Sequence, residues 1–134
     1  MAFTMPQKLL FKHCDPAGIA FYPRYFEMMN DCVELFFDHI GHPFEEIIRT
    51  AGVPTARIEA QFTAPSRHGD RLEITLRATS LGRSSLGLTF AALCGEEVRF
   101  RASSTLVYVT QQGRPQSWSD TLRAALTPHV EGKN

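Results

Sequence analysis

The residues best able to do chemistry stand together near the N-terminus: His13, Cys14 and Asp15, then Pro16 and Gly18, then Phe21, Tyr22 and Pro23. A carboxylate such as Asp15 can attack an electrophilic carbon or take a proton from water. Pro16 and Gly18 force a compact turn behind it, and Pro23 suits the first position of a helix, where its missing N–H is not needed. The first turn of a helix carries unpaired N–H groups and a partial positive charge, so it can bind a developing oxyanion. A carboxylate facing a helix start across a short loop is the arrangement of a hydrolytic site. Asp before Pro is also a common turn former, and spacing alone leaves both readings standing. His13, Cys14 and Asp15 also suggest a Cys–His–acid set, but a pleated strand points Cys14 away from its two neighbours, out of the reach that a nucleophile and base must share. His13 either orients Asp15 from the same strand face or is a half-buried strand residue.

The elements that must position these groups are legible as patterns. Residues 5–15 alternate, with Gln7, Leu9, Phe11, His13 and Asp15 on one face, and predict a first strand that Asp15 closes. From Pro23 to Ile40 the polar residues Arg24, Glu27, Asp31, Glu34 and Asp38 recur at spacings of three and four, forming one narrow solvated stripe on a helix whose remaining surface is apolar. Such a helix needs a sheet wrapped around it. Gly41 ends it, and 43–50 predicts a second short helix. Four strands follow: around Ile58–Ala64, around Leu72–Ala78, Ser84–Cys94 and Glu97–Thr110, the last two more apolar on both faces, which suggests a central position or a subunit contact. Their short connections predict an antiparallel meander. Ser117 or Ser119 caps a last helix, Asp120 to Leu126. The class is α+β, with one domain over 1–134.

Composition excludes several partners. Lys plus Arg and Asp plus Glu are 14 each, so no global field draws the chain to nucleic acid or to an anionic membrane. No apolar run approaches a membrane span, and the expected location is cytoplasmic. The three cysteines lack a Cys-x-x-Cys pair, which argues against a disulfide framework and a zinc site; no metal is expected.

The run Cys14-Asp15-Pro16-Ala17-Gly18-Ile19, followed by Phe21-Tyr22-Pro23 and Tyr25, resembles the acyl-CoA thioesterases of the hotdog fold, most closely the 4-hydroxybenzoyl-CoA type. The resemblance implies a sheet around a central helix, a dimer or tetramer with its site at the subunit interface, and hydrolysis of an aromatic or short acyl-CoA without a cofactor, CoA being part of the substrate. It implies Asp15 as nucleophile or general base and the Tyr22 backbone N–H as oxyanion binder. Gly18 would allow close approach of the loop, and Tyr25 would line an aromatic pocket. Asn30 stands where the 4-hydroxybenzoyl enzyme has an Asp, and is either a substrate contact or an edge residue. For the CoA phosphates the candidates are Arg83 with Ser84, then Arg67 and His68; each is otherwise a solvated turn residue. Arg114 and Lys133 stay unassigned. Two further classes remain open: an acyl-CoA-binding module without turnover, and a hotdog dehydratase or hydratase, which would need a His and acid pair placed to remove a proton from carbon.

Overall fold

The computed structural model of the chain describes residues 2–131; Lys133 lies outside them. The order is β1 (Phe3–Lys8), a 3-10 turn (Phe11–His13), α1 (Tyr22–His39), α2 (Phe44–Ile47), β2 (Ala51–Gly52), β3 (Thr55–Phe62), β4 (Arg71–Leu81), β5 (Ser85–Cys94), β6 (Glu97–Val107), β7 (Val109–Thr110), α3 (Asp120–Leu126) and a final 3-10 turn (Thr127–His129). One antiparallel sheet has the order β1-β4-β5-β6-β3, and β2 pairs separately with β7. The sheet wraps α1, as expected.

The helix follows from its sequence. Glu27, Asp31, Glu34 and Asp38 are exposed, whereas Tyr25, Met28, Met29, Cys32, Val33, Phe36 and Phe37 are buried against the sheet. Phe36 and Phe37 are within 1% of full burial, and truncating either to Ala costs about 3–5 kcal/mol. The helix ends as a Schellman motif: Gly41 takes φ +90°, His42 N–H donates to Phe37 O at 2.9 Å and Gly41 N–H to Asp38 O at 3.1 Å. At the other end of the chain Ser119 Oγ accepts from Leu122 N–H at 3.2 Å and caps α3, settling the choice between Ser117 and Ser119. Among the described residues no helix is long and apolar enough to cross a membrane.

Four expectations need correction. The first strand stops at Lys8: Leu9 N–H is captured by Asp70 O at 2.8 Å, and His13 Nδ1 accepts Leu10 N–H at 2.9 Å, curling 11–13 into a 3-10 turn. Asp15 therefore sits in a loop beyond the strand. Pro23 is the second helical residue, because Tyr22 is the first. The four later strands are not a simple meander, since β3 lies beside β6 while β4 lies beside β1. The connection 63–70 crosses from one to the other; its eight residues span up to about 27 Å, ample for three strand spacings of about 4.8 Å. Finally, β5 and β6 do lie inside the sheet, as their pattern suggests, but their outer face is not apolar, for Thr89, Ala91, Arg101, Ser103 and Thr105 point away from the buried Leu88, Phe90, Ala102 and Ser104.

The exposed apolar surface is elsewhere. The helix packs nearest β4 and β1, so β3 overhangs it as an edge strand. Ile58 and Phe62 share the inward face with Ala60, yet remain 38% and 45% exposed. Phe21 and Tyr22 at the helix start are 48% and 57% exposed, so the rim of the sheet and the start of α1 form one apolar border.

Candidate active site

Asp15 is held by a narrow hairpin. Phe21 N–H donates to His13 O at 2.9 Å, Cys14 bridges Ala20, and Asp15 N–H donates to Ile19 O at 2.9 Å, so 13–15 and 19–21 run antiparallel around a Pro16-Ala17-Gly18 tip. Gly18 N–H closes the tip onto Asp15 O at 2.9 Å, and its φ of +80° is one that glycine adopts without strain. One carboxylate oxygen, Asp15 Oδ1, accepts Ala17 N–H at 2.9 Å. The turn-forming role of this Asp is thus real. It uses one oxygen and leaves Oδ2 without a hydrogen bond among the described residues.

The helix start narrows to a single donor. Phe21 N–H is taken by His13 O, Pro23 has no N–H, and Arg24 N–H is taken by Phe21 O at 2.8 Å. That leaves the Tyr22 N–H, which as the first helical amide has no intrahelical partner. Asp15 and Tyr22 are therefore brought to one hairpin and its exit, seven residues apart in the chain.

Two grooves open beside them. One, about 470 Å³, is lined by Phe11, Lys12, Cys14, Asp15, Pro16, Gly18 and His68. The other, about 550 Å³, is lined by Ile19, Ala20, Tyr22 and Tyr25 on one side and by Phe62, Thr63, Ala64 and Pro65 on the other. Tyr25, only 3% exposed, stacks on Phe62 with ring centroids 5.6 Å apart and meets Phe100 at 4.8 Å, while Tyr22 meets Phe62 at 5.8 Å. The second groove contains no charged side chain, and Thr63 Oγ1 already donates to Val98 O at 2.7 Å. This surface fits a flat apolar group.

His13 does not hydrogen-bond Asp15 among the described residues. It is buried, its Nδ1 accepts from Leu10, and burial pushes its pKa below the ordinary imidazole value, helped by Lys12 and Arg24 and opposed by Glu27 and Asp31. It holds the turn as a neutral ring. Among the described residues no group of three or more His, Cys, Asp or Glu side chains is placed to hold a metal.

The other expected residues divide. Gly18 and Tyr25 lie in the grooves beside Asp15 and Tyr22. Arg67 and His68 come to the same hairpin, through an Ile19–Arg67 bridge and a His68 N–H to Gly18 O bond at 3.3 Å. Arg83 and Ser84 do not: they follow the far end of β4, an 11-residue strand about 35 Å long, and their carbonyls pair with Trp118, Arg123 and Tyr108. Asn30 is exposed two turns along α1, and lines neither groove. Sequence reasoning did not place Phe62 or the 63–65 segment in the site. The apolar face of β3 looks like core, and only the overhang makes it a groove wall.

A model of the Thioesterase-like superfamily matches residues 9–126. No curated protein sequence matches the chain significantly. Among solved structures, a 1,4-dihydroxy-2-naphthoyl-CoA thioesterase from Synechocystis superposes with TM-score 0.87 at 18% identity, over 95% of this chain and 96% of that one. A gentisyl-coenzyme A thioesterase superposes with TM-score 0.84 at 25% identity, over 93% and 99%. A Staphylococcus aureus protein in complex with CoA does so with TM-score 0.91 at 14% identity, over 100% and 87%. These likenesses establish the hotdog fold, and the match over 9–126 places the chain in the Thioesterase-like superfamily.

Proposed function

We propose that this protein hydrolyses acyl-CoA thioesters bearing an aromatic or short acyl group, with Asp15 as the reacting carboxylate. The observation that carries this reading is that one short hairpin holds Asp15, whose Oδ2 has no hydrogen bond among the described residues, and leads directly into Tyr22, the one amide of the helix start with no partner among them. In the reaction the thioester carbonyl oxygen accepts the Tyr22 N–H as it becomes an oxyanion. Asp15 either attacks the carbonyl carbon, giving a mixed anhydride that water then opens, or removes a proton from the attacking water. Both routes expel CoA as the thiolate and release the acid. The groove walled by Tyr22, Tyr25 and Phe62 takes the acyl group, and Gly18 at the hairpin tip lets the substrate approach the backbone. The aromatic acyl-CoA named for the Synechocystis enzyme and for the gentisyl-CoA enzyme agrees with such a groove, and the CoA-bound Staphylococcus aureus protein supports CoA as the handle.

The apolar border of Ile58, Phe62, Phe21 and Tyr22 supports self-association as a dimer or tetramer, because a second copy would cover it next to the grooves. On this reading Arg83, Ser84 and Asn30 serve a site whose Asp15 belongs to another copy. The direct test is thiol release, followed with a disulfide reagent, from benzoyl-, 4-hydroxybenzoyl-, acetyl- and long-chain acyl-CoA. Release that depends on Asp15 supports the thioesterase. Binding of acyl-CoA without release would replace it with a carrier role, and hydration of an enoyl-CoA with a hydratase.

A further inference from the structure

We infer that Arg99 is a positioning residue for the hairpin that carries Asp15, acting through the crossover 63–70. The starting point is the register of β6. Ala92 of β5 faces Phe100, but its neighbour Leu93 faces Val98, so Arg99 is the extra residue of a β-bulge. Bulges re-aim side chains, and this one turns a cation inward beneath the crossover. Arg99 is only 11% exposed at its side chain. Its Nη1 donates to Pro65 O and Ser66 Oγ, both at 3.2 Å, and pairs with Asp70 Oδ2 at 2.7 Å. Its Nε meets Glu97 Oε1 at 2.6 Å as an ion pair, and its carbonyl accepts Thr63 N–H at 3.0 Å. One residue therefore holds both ends of the crossover.

The crossover in turn holds the hairpin. Ser66 O accepts Ala20 N–H at 2.8 Å, Arg67 bridges Ile19, and His68 N–H donates to Gly18 O at 3.3 Å. On the other flank Gly69 N–H donates to Leu9 O and Asp70 O accepts Leu9 N–H, both at 2.8 Å. Residues 9 and 18–20 are thus tied to 66–70 on both sides of Asp15. Asp70 adds a second lock by accepting Arg67 N–H at 2.9 Å through the same Oδ2 that meets Arg99. All three contacts with the crossover run from Nη1 while Nε faces Glu97, and a lysine ammonium, one bond shorter and with a single nitrogen, does not reach both places. Displacing a reacting group by about 1 Å costs as much as ~10² in rate, so loosening this clasp reaches kcat without touching substrate.

The inference rests on Asp15 being the reacting carboxylate, and the test separates the two ideas. Arg99→Lys and the nearly isosteric Asp70→Asn are compared with the wild-type chain at the same temperature, below the Tm measured for each. The expected result for Arg99→Lys is an unchanged far-ultraviolet circular dichroism spectrum, a kcat lowered about tenfold or more, a KM within about threefold, and faster amide exchange in the peptide containing Ala20. Asp70→Asn, for which folding is the safer expectation, should give the same pattern at about threefold to tenfold in kcat. Folded variants with wild-type kcat and wild-type exchange at Ala20 overturn the inference. Should the wild type be inert on every thioester, the hydrolase reading fails, while exchange at Ala20 still decides whether Arg99 governs the hairpin.

Discussion

Replacing Asp15 by Asn and by Ala separates its turn-forming role from the catalytic role proposed for it. In the folded chain Asp15 Oδ1 accepts the Ala17 N–H, and an Asn side chain offers an amide oxygen in the same place. Asp15→Asn therefore keeps the turn and loses only the carboxylate proposed to react. The loss of acid-base or nucleophilic help is worth about 10²–10⁴ in kcat, or roughly 3–5 kcal/mol of barrier. Asp15→Ala loses the hydrogen bond as well, at about 0.5–1.5 kcal/mol, which for a domain of this size lowers Tm by roughly 2–6 °C. The expected pattern is a Tm for Asp15→Asn within about 1 °C of wild type, a lower Tm for Asp15→Ala, and the same deep loss of thiol release in both. An Asp15→Asn protein that turns over within about threefold of wild type would refute the catalytic assignment and leave Asp15 a turn former only. An Asn variant as unstable as the Ala variant would refute the claim that the turn uses the oxygen alone.

Self-association is expected by light scattering at micromolar concentration, and a monomer fully active on a CoA thioester would refute a site completed by a second copy. If Arg83 serves the partner's site, coexpressing Asp15→Asn with Arg83→Ala restores up to about a quarter of wild-type kcat/KM in a dimer, since half the dimers are mixed and each holds one intact site; a mixture no better than its parents refutes the sharing. The groove without charged side chains predicts a preference for 4-hydroxybenzoyl-CoA over benzoyl-CoA below about tenfold, and a preference of about a thousandfold would contradict it. His13 supplies a pH signature: its folded pKa lies below its unfolded value of 6.5, so its contribution to stability is complete above 6.5 and is lost as pH falls towards the lower folded value. His13→Asn, which keeps an acceptor for Leu10 N–H but does not titrate there, should flatten the Tm–pH curve in that window, and an unchanged curve would refute the role given to the buried ring.

The parts of the fold legible in the sequence are those whose burial is periodic and local. Asp31 and Glu34 mark the wet stripe of α1 while Cys32, Val33, Phe36 and Phe37 mark the dry one, so length, ends and orientation follow from one pattern. The alternation of Leu72, Ile74, Leu76 and Ala78 gives β4 in the same way. Alternation misleads where tertiary hydrogen bonds take over: Leu9 is bound by Asp70 from the far side of the chain, and the pattern that continues to Asp15 describes no strand. It also cannot tell an inward face that is covered from one that overhangs. Ile58 and Phe62 have the signature of core, and their exposure depends on how far α1 reaches across the sheet.

The candidate site divides on the same line. Asp15, Gly18 and Tyr22 are legible because turn residues, a helix start and a carboxylate lie within one short run. Arg99 is invisible by the same logic. It stands in a strand that alternates with solvent-facing Arg101 and Ser103, so its charge reads as one more outward residue. Only a single-residue slip between β5 and β6 turns it under the crossover, where it meets Ser66 and Asp70 from a segment about thirty positions away. The run proposed for catalysis can be short and local because the contacts that hold it are long-range: Arg99 reaches Asp70 and Ser66 across separations of 29 and 33 residues, through a partly buried ion pair and a hydrogen bond rather than apolar packing. A partly buried pair is weak evidence for net stability, but removing one partner leaves the other charge half-desolvated without its counterpart. On the proposed reading, the geometry around Asp15 therefore depends on Arg99 and Asp70 as well as on the hairpin itself.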